Sequence, residues 1–341
     1  MPPSLLYPDT RGSRRRAFIA TLIATLLPGC VRRETVRPTA DLTRPDRGQV
    51  NIRVQQPNGT IKTISLDYYV RGTILPEVPL ASLSGPAART IAEVQSIIAR
   101  TYALHHRTRH LQNGFDFCST THCQVYRDPT DDLNVYQQLA DKSVKRTTGM
   151  IVTYGGIPID SVYHADCGGA TSSATSVWGG PSPPYLDGVV DEFCQTLNRP
   201  PWSLSIGRDT FRDALNADPR TSVGRDLQSV IVTRRDDAGR ALTIELNGSN
   251  RFAVSGATLR SVLGGRFGFT RIKSTKLEIH KRNDVFLITG TGFGHGAGLC
   301  QTGAMARAEA GHQADHIIAT YYPGTALSNF HQLPIQTQAR R

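Results

Sequence analysis

From Pro86 onward, apolar residues fall at Ala87, Ile91, Val94, Ile98 and Tyr102, three or four positions apart. That period is the one a helix turns toward a core, and proline fits its first turn, where the missing N–H has no intrahelical partner to lose. The spacing predicts a helix over PAARTIAEVQSIIARTYALHHR, residues 86–107. Upstream, VNIRVQQPNGTIKTISLDYYV alternates apolar and polar residues on both sides of Pro57-Asn58-Gly59, a hairpin signal. Downstream, short apolar runs read as strands: GMIVTYGG, IDSVYHA, SVIVTRR turning at Asp237 and Gly239 into ALTIEL, then RFAVSG, KLEIHKR and VFLITGTG. Short helices are expected at residues 208–216 and 256–263, and helix-like segments in QTGAMARAEAG and ADHIIATYYPGT. The mixture predicts an α+β fold with mixed, largely antiparallel sheets and a few helices. With no repeat and no linker after residue 50, one domain over residues 49–328 is expected, followed by a basic tail over 329–341.

The N-terminus breaks this pattern. Arg14 to Arg16 precede the apolar run Phe18 to Leu27, too short to span a bilayer, as in an export signal over residues 1–30. Arg15, Arg16 and Phe18 fit a twin-arginine pattern. Leu27, Gly29 and Cys30 resemble a lipobox that would place a lipid on Cys30, with simple secretion as the alternative. Residues 31–48, polar and proline-containing, read as a flexible tether. The expected location is therefore the periplasm or cell envelope, with membrane contact only through a lipid anchor.

The chain has 341 residues and a net charge of +11; residues 1–30 carry four arginines and one aspartate, so their removal leaves +8. Outside the cytoplasm such an excess favours wall polymers or anionic lipid, and nucleic acid is not an expected partner. Without Cys30, five cysteines remain, an odd number, so at least one stays reduced or binds metal.

Four stretches concentrate chemistry. YVRGTILPEVP places Glu77 between Pro76 and Pro79 after an apolar segment, predicting a carboxylate on a proline-fixed loop after a strand. CSTTHCQVY brings Cys118, His122 and Cys123 close enough for tetrahedral zinc. His110 is the best candidate for a fourth ligand, with His106 and Asp116 as alternatives, and a Cys118–Cys123 disulfide competes with the metal. YHADCGGATS offers His164, Asp166 and Cys167 but lacks the strand-elbow-helix signature of a hydrolase nucleophile. Cys167 and Cys194 form the best disulfide candidate, closing a loop worth roughly 3 kcal/mol. Finally, GTGFGHGAGLCQTGA places six glycines around His295, Cys300 and Gln301. Its G-x-G-x-x-A spacing imitates a dinucleotide loop, but the further βα units and acidic ribose ligand are missing. So many glycines imply a backbone that comes close to a bulky ligand or to another strand.

These pieces, in this order from about Tyr68 to Leu327, resemble the SpoIID/LytB domain family of stage II sporulation protein D and amidase enhancers. YVRGTILPEVP resembles the segment around that family's essential glutamate, and VQSIIARTYAL its Q-A-x-A-x-R-T-Y helix. YHADCGGATS resembles its Y-H-S-x-x-G-G-x-T turn, VWGG its following tryptophan, GFGHGAGLCQTGA its G-W-G-H-G-V-G-M-x-Q-x-G-A signature, and YYPGTAL also matches. The resemblance implies a lytic transglycosylase that cuts MurNAc–GlcNAc bonds of peptidoglycan strands stripped of stem peptides, leaving 1,6-anhydro ends, with Glu77 as the catalytic acid and base. It implies a glycan-binding cleft formed by Gln95, Arg100, Tyr102, His164, Gly168, Gly169, Phe293, His295 and Gln301, the last two projecting into it. It also implies one structural zinc at Cys118, His122, Cys123 and His110. The alternative it leaves open is a noncatalytic glycan-binding protein that recruits or stimulates a cell-wall amidase. Four departures stand out: a long Glu77–Gln95 interval, the lack of the usual aromatic-proline step in LASLSGPAART, Phe293 for tryptophan, and Asp166 for a small hydroxyl residue.

Overall fold

The computed structural model describes residues 50–130, 134–197 and 199–333. The export signal, Cys30, the tether and the tail beyond residue 333 lie outside them. None of the described helices is long and apolar enough to cross a membrane.

Strands β1 (Asn51–Gln55) and β2 (Ile61–Ser65) pair antiparallel across the Pro57-Asn58-Gly59 turn, where Gly59 takes a φ of +84°. The extended segment ends sooner than the alternation predicts. Ser65 accepts the Tyr68 N–H at 3.2 Å and caps helix α1 (Leu66–Glu77). Leu66, Tyr69, Val70, Thr73 and Ile74 share its buried face, the helical spacing hidden within LDYYVRGTIL. Glu77 therefore closes a helix, rather than sitting on a loop after a strand.

Ser84 caps helix α2 (Gly85–His106), with Pro86 in its first turn. This helix is the axis of one hydrophobic core, and α1, the later helices and a central strand pack around it. Strand β3 (Phe117–Cys118) adds to β1 in parallel, and is followed by α3 (Val135–Arg146), β4 (Met150–Tyr154), β5 (Ile157–Pro158) and β6 (Tyr163–His164). Of the strand expected over IDSVYHA, only Tyr163 and His164 pair regularly. Two short helices, α4 (Ala174–Trp178) and α5 (Glu192–Gln195), then precede β7 (Trp202–Gly207) and α6 (Arg208–Asn216).

The antiparallel ribbon β8 (Leu227–Arg235), β9 (Ala241–Gly248) and β10 (Arg251–Val254), helix α7 (Gly256–Phe267) and the hairpin β11 (Leu277–Arg282) with β12 (Val285–Gly290) build a second core with β7 and α6. The chain returns to the first core through β13 (Leu299–Cys300), α8 (Gln301–Glu309), α9 (Ala314–Tyr321) and β14 (Ala326–Asn329), which pairs with β4. The fold is α+β. Strands β7 and β14, the two-residue strands β3, β5 and β13, and helices α3, α4 and α5 are the elements the sequence pattern left unread.

One pairing positions the site. β13 lies parallel to β6, with Leu299 opposite Tyr163 and Cys300 opposite His164. Asp166 and Phe293 exchange two main-chain hydrogen bonds, at 2.9 and 2.8 Å. The glycine-rich stretch is thus fastened to YHADCGG. At Gly292, Gly294 and Gly298 a Cβ would meet Asp166 O, the His164 Cβ and Val162 O at 2.8, 2.8 and 2.1 Å. At Gly296 it would meet the Arg240 guanidinium at 2.2 Å, and all four glycines have positive φ. Close approach to another strand describes the side of each glycine where a Cβ would stand, and Gly292 and Gly294 also line clefts.

Candidate functional site

Glu77 is half-buried at the end of α1, and its surroundings come from three distant segments. Oε1 accepts the main-chain N–H of Val125 at 2.6 Å. Why that N–H is there follows from local sequence. Pro76 cannot donate to Gly72 O, four residues earlier, and Arg127 N–H takes that carbonyl instead at 3.1 Å. Gly72 is bare because a Cβ would meet the Tyr126 ring at 2.3 Å. Proline and glycine together let residues 125–127 lie along the last turn of α1.

The Tyr163 O–H also donates to the Glu77 carboxylate. Its direction is fixed, because Gln124 Nε2 donates to the Tyr163 oxygen at 3.2 Å while Gln124 Oε1 accepts from Tyr69 O–H at 3.1 Å. Gln301, first residue of α8, donates from Nε2 to Glu77's main-chain oxygen at 3.2 Å. Burial raises the Glu77 carboxyl from 4.5 to about 7, against the opposing pull of the Val125 and Tyr163 donors. A group that titrates near neutrality can give a proton and take one back.

Tyr163, Gln124 and Tyr69 complete the hydrogen-bond chain that reaches Glu77, and the sequence did not single them out. Tyr163 precedes His164 in YHADCGG, and Gln124 follows Cys123 directly, so both lay inside stretches already singled out.

That second stretch leads to the thiol and imidazole cluster. Ligand atoms of His110, Cys118, His122 and Cys123 all lie within 4.8 Å of one another. Cys123 Sγ is 3.4 Å from Cys118 Sγ, 3.3 Å from His110 Nε2 and 3.6 Å from His122 Nδ1, and Cys118 Sγ is 3.7 Å from His122 Nδ1. Ligands about 2.0 to 2.3 Å from a tetrahedral zinc would stand about 3.4 to 3.8 Å apart, so the set fits that ion. The alternatives for a fourth ligand are engaged elsewhere: His106 pairs with Asp160 at 2.8 Å, and Asp116 with Arg53 at 3.0 Å.

The residues expected along a glycan-binding surface do not all face one. Arg100 is 1% exposed and bonds Asp67 at 2.9 and 3.0 Å and Met150 O at 3.1 Å, a buried ion pair that locks α2 to α1 and β4. Gln95 is buried, and so is Tyr102, whose oxygen accepts from Arg109 at 2.7 Å. His164 is buried and gives Nδ1–H to Ala297 O at 3.0 Å; burial keeps it neutral. His295 has both nitrogens committed, Nε2–H to Tyr163 O at 2.9 Å and Nδ1 to the Ala297 N–H at 3.1 Å. Burial lowers it to about 4, so it is a neutral brace for Tyr163 and does not project its nitrogens outward. Gln301 likewise turns inward, to Glu77. Gly168 and Gly169 form a left-handed turn. Phe293 is half-buried and edges a cleft of about 400 Å³ with Trp202, Lys273 and Arg199, which Glu77 does not line.

The expected Cys167–Cys194 disulfide is not formed. Both are thiols, and with Cys300 and Asp191 they make a second compact cluster. Three buried cysteines share one space, so neither Cys167 nor Cys194 has a unique partner there.

A family model described as "Stage II sporulation protein" matches residues 55–154, the span that holds Glu77 and the first cysteine–histidine cluster. The chain carries a SpoIID domain and is similar in sequence to the SpoIID/LytB family. It is similar to an uncharacterized protein of Brachyspira hyodysenteriae, 26% identical over 80% of this chain and 69% of that one. It is similar to the amidase enhancer of Bacillus subtilis, 28% identical over 76% of this chain but 40% of the enhancer. Stage II sporulation protein D of the same species is 25% identical over 80% of this chain and 76% of its own length. Coverage of 76 to 80% of this chain carries the similarity past the matched domain, into the segment that holds Tyr163.

Proposed function

We propose that this protein acts on the bacterial cell wall as a lytic transglycosylase, with Glu77 as its single acid and base. The observation that carries the reading is the Glu77 carboxyl, half-buried, raised to about 7 and held by Val125 N–H and Tyr163 O–H. In its protonated form it would give its proton to the glycosidic oxygen as the MurNAc–GlcNAc bond breaks. As carboxylate it would then take the proton of the same sugar's C6 hydroxyl, which closes on C1 to give a 1,6-anhydro end. The attacking hydroxyl is tethered to the reacting carbon, so neither a positioned water nor a second carboxylate is needed. No carboxylate is among the groups that shift Glu77, unlike the paired acids of hydrolytic glycosidases.

The family and the stage II sporulation protein D relative support a cell-wall substrate, and glycan stripped of stem peptides is the form proposed here. Trp178, 54% exposed and against the His295 ring at 5.1 Å, offers an apolar face on which a sugar can stack. His110, Cys118, His122 and Cys123 would hold one zinc that closes the turn just before Gln124 and Val125, fixing the donors to Glu77; a full shell of four protein ligands makes that role structural. A second reading rests on the amidase enhancer relative: the same surface binds wall glycan and stimulates a separate amidase. Digestion of sacculi, intact and amidase-treated, separates the two. Anhydro ends released from the stripped strands support turnover; binding without new ends supports the enhancer.

A further inference from the structure

Cys167, Cys194, Cys300 and Asp191 offer three sulfurs and a carboxylate oxygen, all within 4.8 Å of one another and all buried. They come from the turn after β6, from α5 and its cap, and from the junction of β13 with α8. The spacing suits a small ion: Cys194 Sγ to Cys300 Sγ is 3.8 Å, and Cys167 Sγ to Asp191 Oδ2 is 3.5 Å. Thiolates and a carboxylate around tetrahedral zinc stand about 3.4 to 3.8 Å apart.

Each sulfur accepts a hydrogen bond, although as a thiol Cys194 also faces Asp166 Oδ1 at 3.3 Å. Cys300 Sγ faces the N–H groups of Cys167 at 3.2 Å and Gly303 at 3.3 Å, and Cys167 Sγ faces that of Gly169 at 3.4 Å. Cys194 Sγ faces the Arg199 guanidinium at 3.3 Å. Such donors suit thiolates far better than neutral thiols.

The surrounding charge points the same way. Arg307, 7% exposed, reaches Asp191 at 3.2 Å. Arg240, 2% exposed, donates to Cys167 O and Gly294 O, each at 3.3 Å, and Lys276 Nζ donates to Gly168 O at 2.8 Å. With Arg199, four cations converge on a region whose fixed carboxylates in contact with it are Asp191 and Asp166. Three thiolates, one carboxylate and a divalent cation sum to −2, one charge more negative than Asp191 beside three neutral thiols, and the surrounding cations favour the more negative centre.

We propose that this cluster is a second structural zinc site, distinct from that of Cys118 and Cys123. It would staple YHADCGG to the start of α8, behind the residues that supply Tyr163 and Gln301 to Glu77. The proposal stands whether or not Glu77 turns over glycan.

The test is metal content and position in the untagged full chain, equilibrated with zinc and then freed of excess. Anomalous scattering at the zinc edge should show a peak among Cys167, Cys194 and Cys300, and Cys194→Ala should lose one equivalent of zinc while Cys118→Ala loses a different one. If Cys194→Ala does not fold, the anomalous map of the parent alone decides. A peak only at the Cys118 cluster, no zinc at all, or a mapped disulfide between any two of Cys167, Cys194 and Cys300 overturns the proposal.

Discussion

Gln301 donates its side-chain amide to the main-chain oxygen of Glu77 at 3.2 Å, across 224 positions of sequence. The contact joins the end of the glycine-rich stretch to the last turn of α1. Gln301→Leu keeps the bulk and leaves the Glu77 carbonyl without this donor. A lost hydrogen bond of about 1 kcal/mol predicts a fall in kcat on the order of fivefold to tenfold, with KM little changed. A variant that cleaves stripped glycan at the parent rate would remove Gln301 from the account.

Glu77 also makes a prediction that needs no substrate. Its folded pKa of about 7 lies above the ordinary 4.5, so the folded state holds the proton more tightly than the unfolded one. The stability it contributes is full below pH 4.5 and is lost as pH rises through about 7. Glu77→Gln, which cannot ionise, should therefore melt higher than the parent at pH 8, with the gap closing toward pH 4.5. Parallel melting curves across that range would mean that the carboxyl is not raised.

Tyr163→Phe removes a donor that favours the charged carboxylate, so Glu77 should titrate higher still. The alkaline limb of the rate profile is expected to move upward in pH while the rate falls. A lower rate with an unmoved limb would assign Tyr163 to packing alone.

Gly296 has a φ of +94° and no room for a methyl group beside Arg240. Gly296→Ala should cost about 2 to 4 kcal/mol of stability, from backbone strain and overpacking together. Denaturant unfolding measures this directly. Unchanged stability with weakened glycan binding would restore the reading in which this glycine lines a groove.

Much of this architecture was legible in the sequence because its signals are local. The period from Ala87 to Tyr102 gave α2, and the Asp237–Gly239 turn gave the β8–β9 hairpin. α1 was hidden because Tyr68, Tyr69, Val70 and Thr73 favour strands while Ser65 and Asp67 set a helix start, and packing on α2 decides between them. The cysteine–histidine set was readable since three members fall within six residues. Tyr163, Gln124 and the second cysteine cluster were not, because they depend on β6 meeting β13 and on a chain reversal that brings residue 125 to residue 77. The histidines misled for a related reason: sequence marks a polar ring but not where its nitrogens point, and His295 spends both of its nitrogens on the main chain while His164 spends its Nδ1 there.

The measurement that bears most directly on the central claim is mass analysis of products from amidase-stripped glycan strands incubated with the parent and with Glu77→Gln. The parent should release fragments ending in 1,6-anhydro-MurNAc, with no water added at the cleaved bond. Glu77→Gln should still bind the strands but cleave them on the order of 100-fold to 10,000-fold more slowly. Equal release by the two proteins, or products that carry added water, would contradict Glu77 as the acid and base of a lytic transglycosylase.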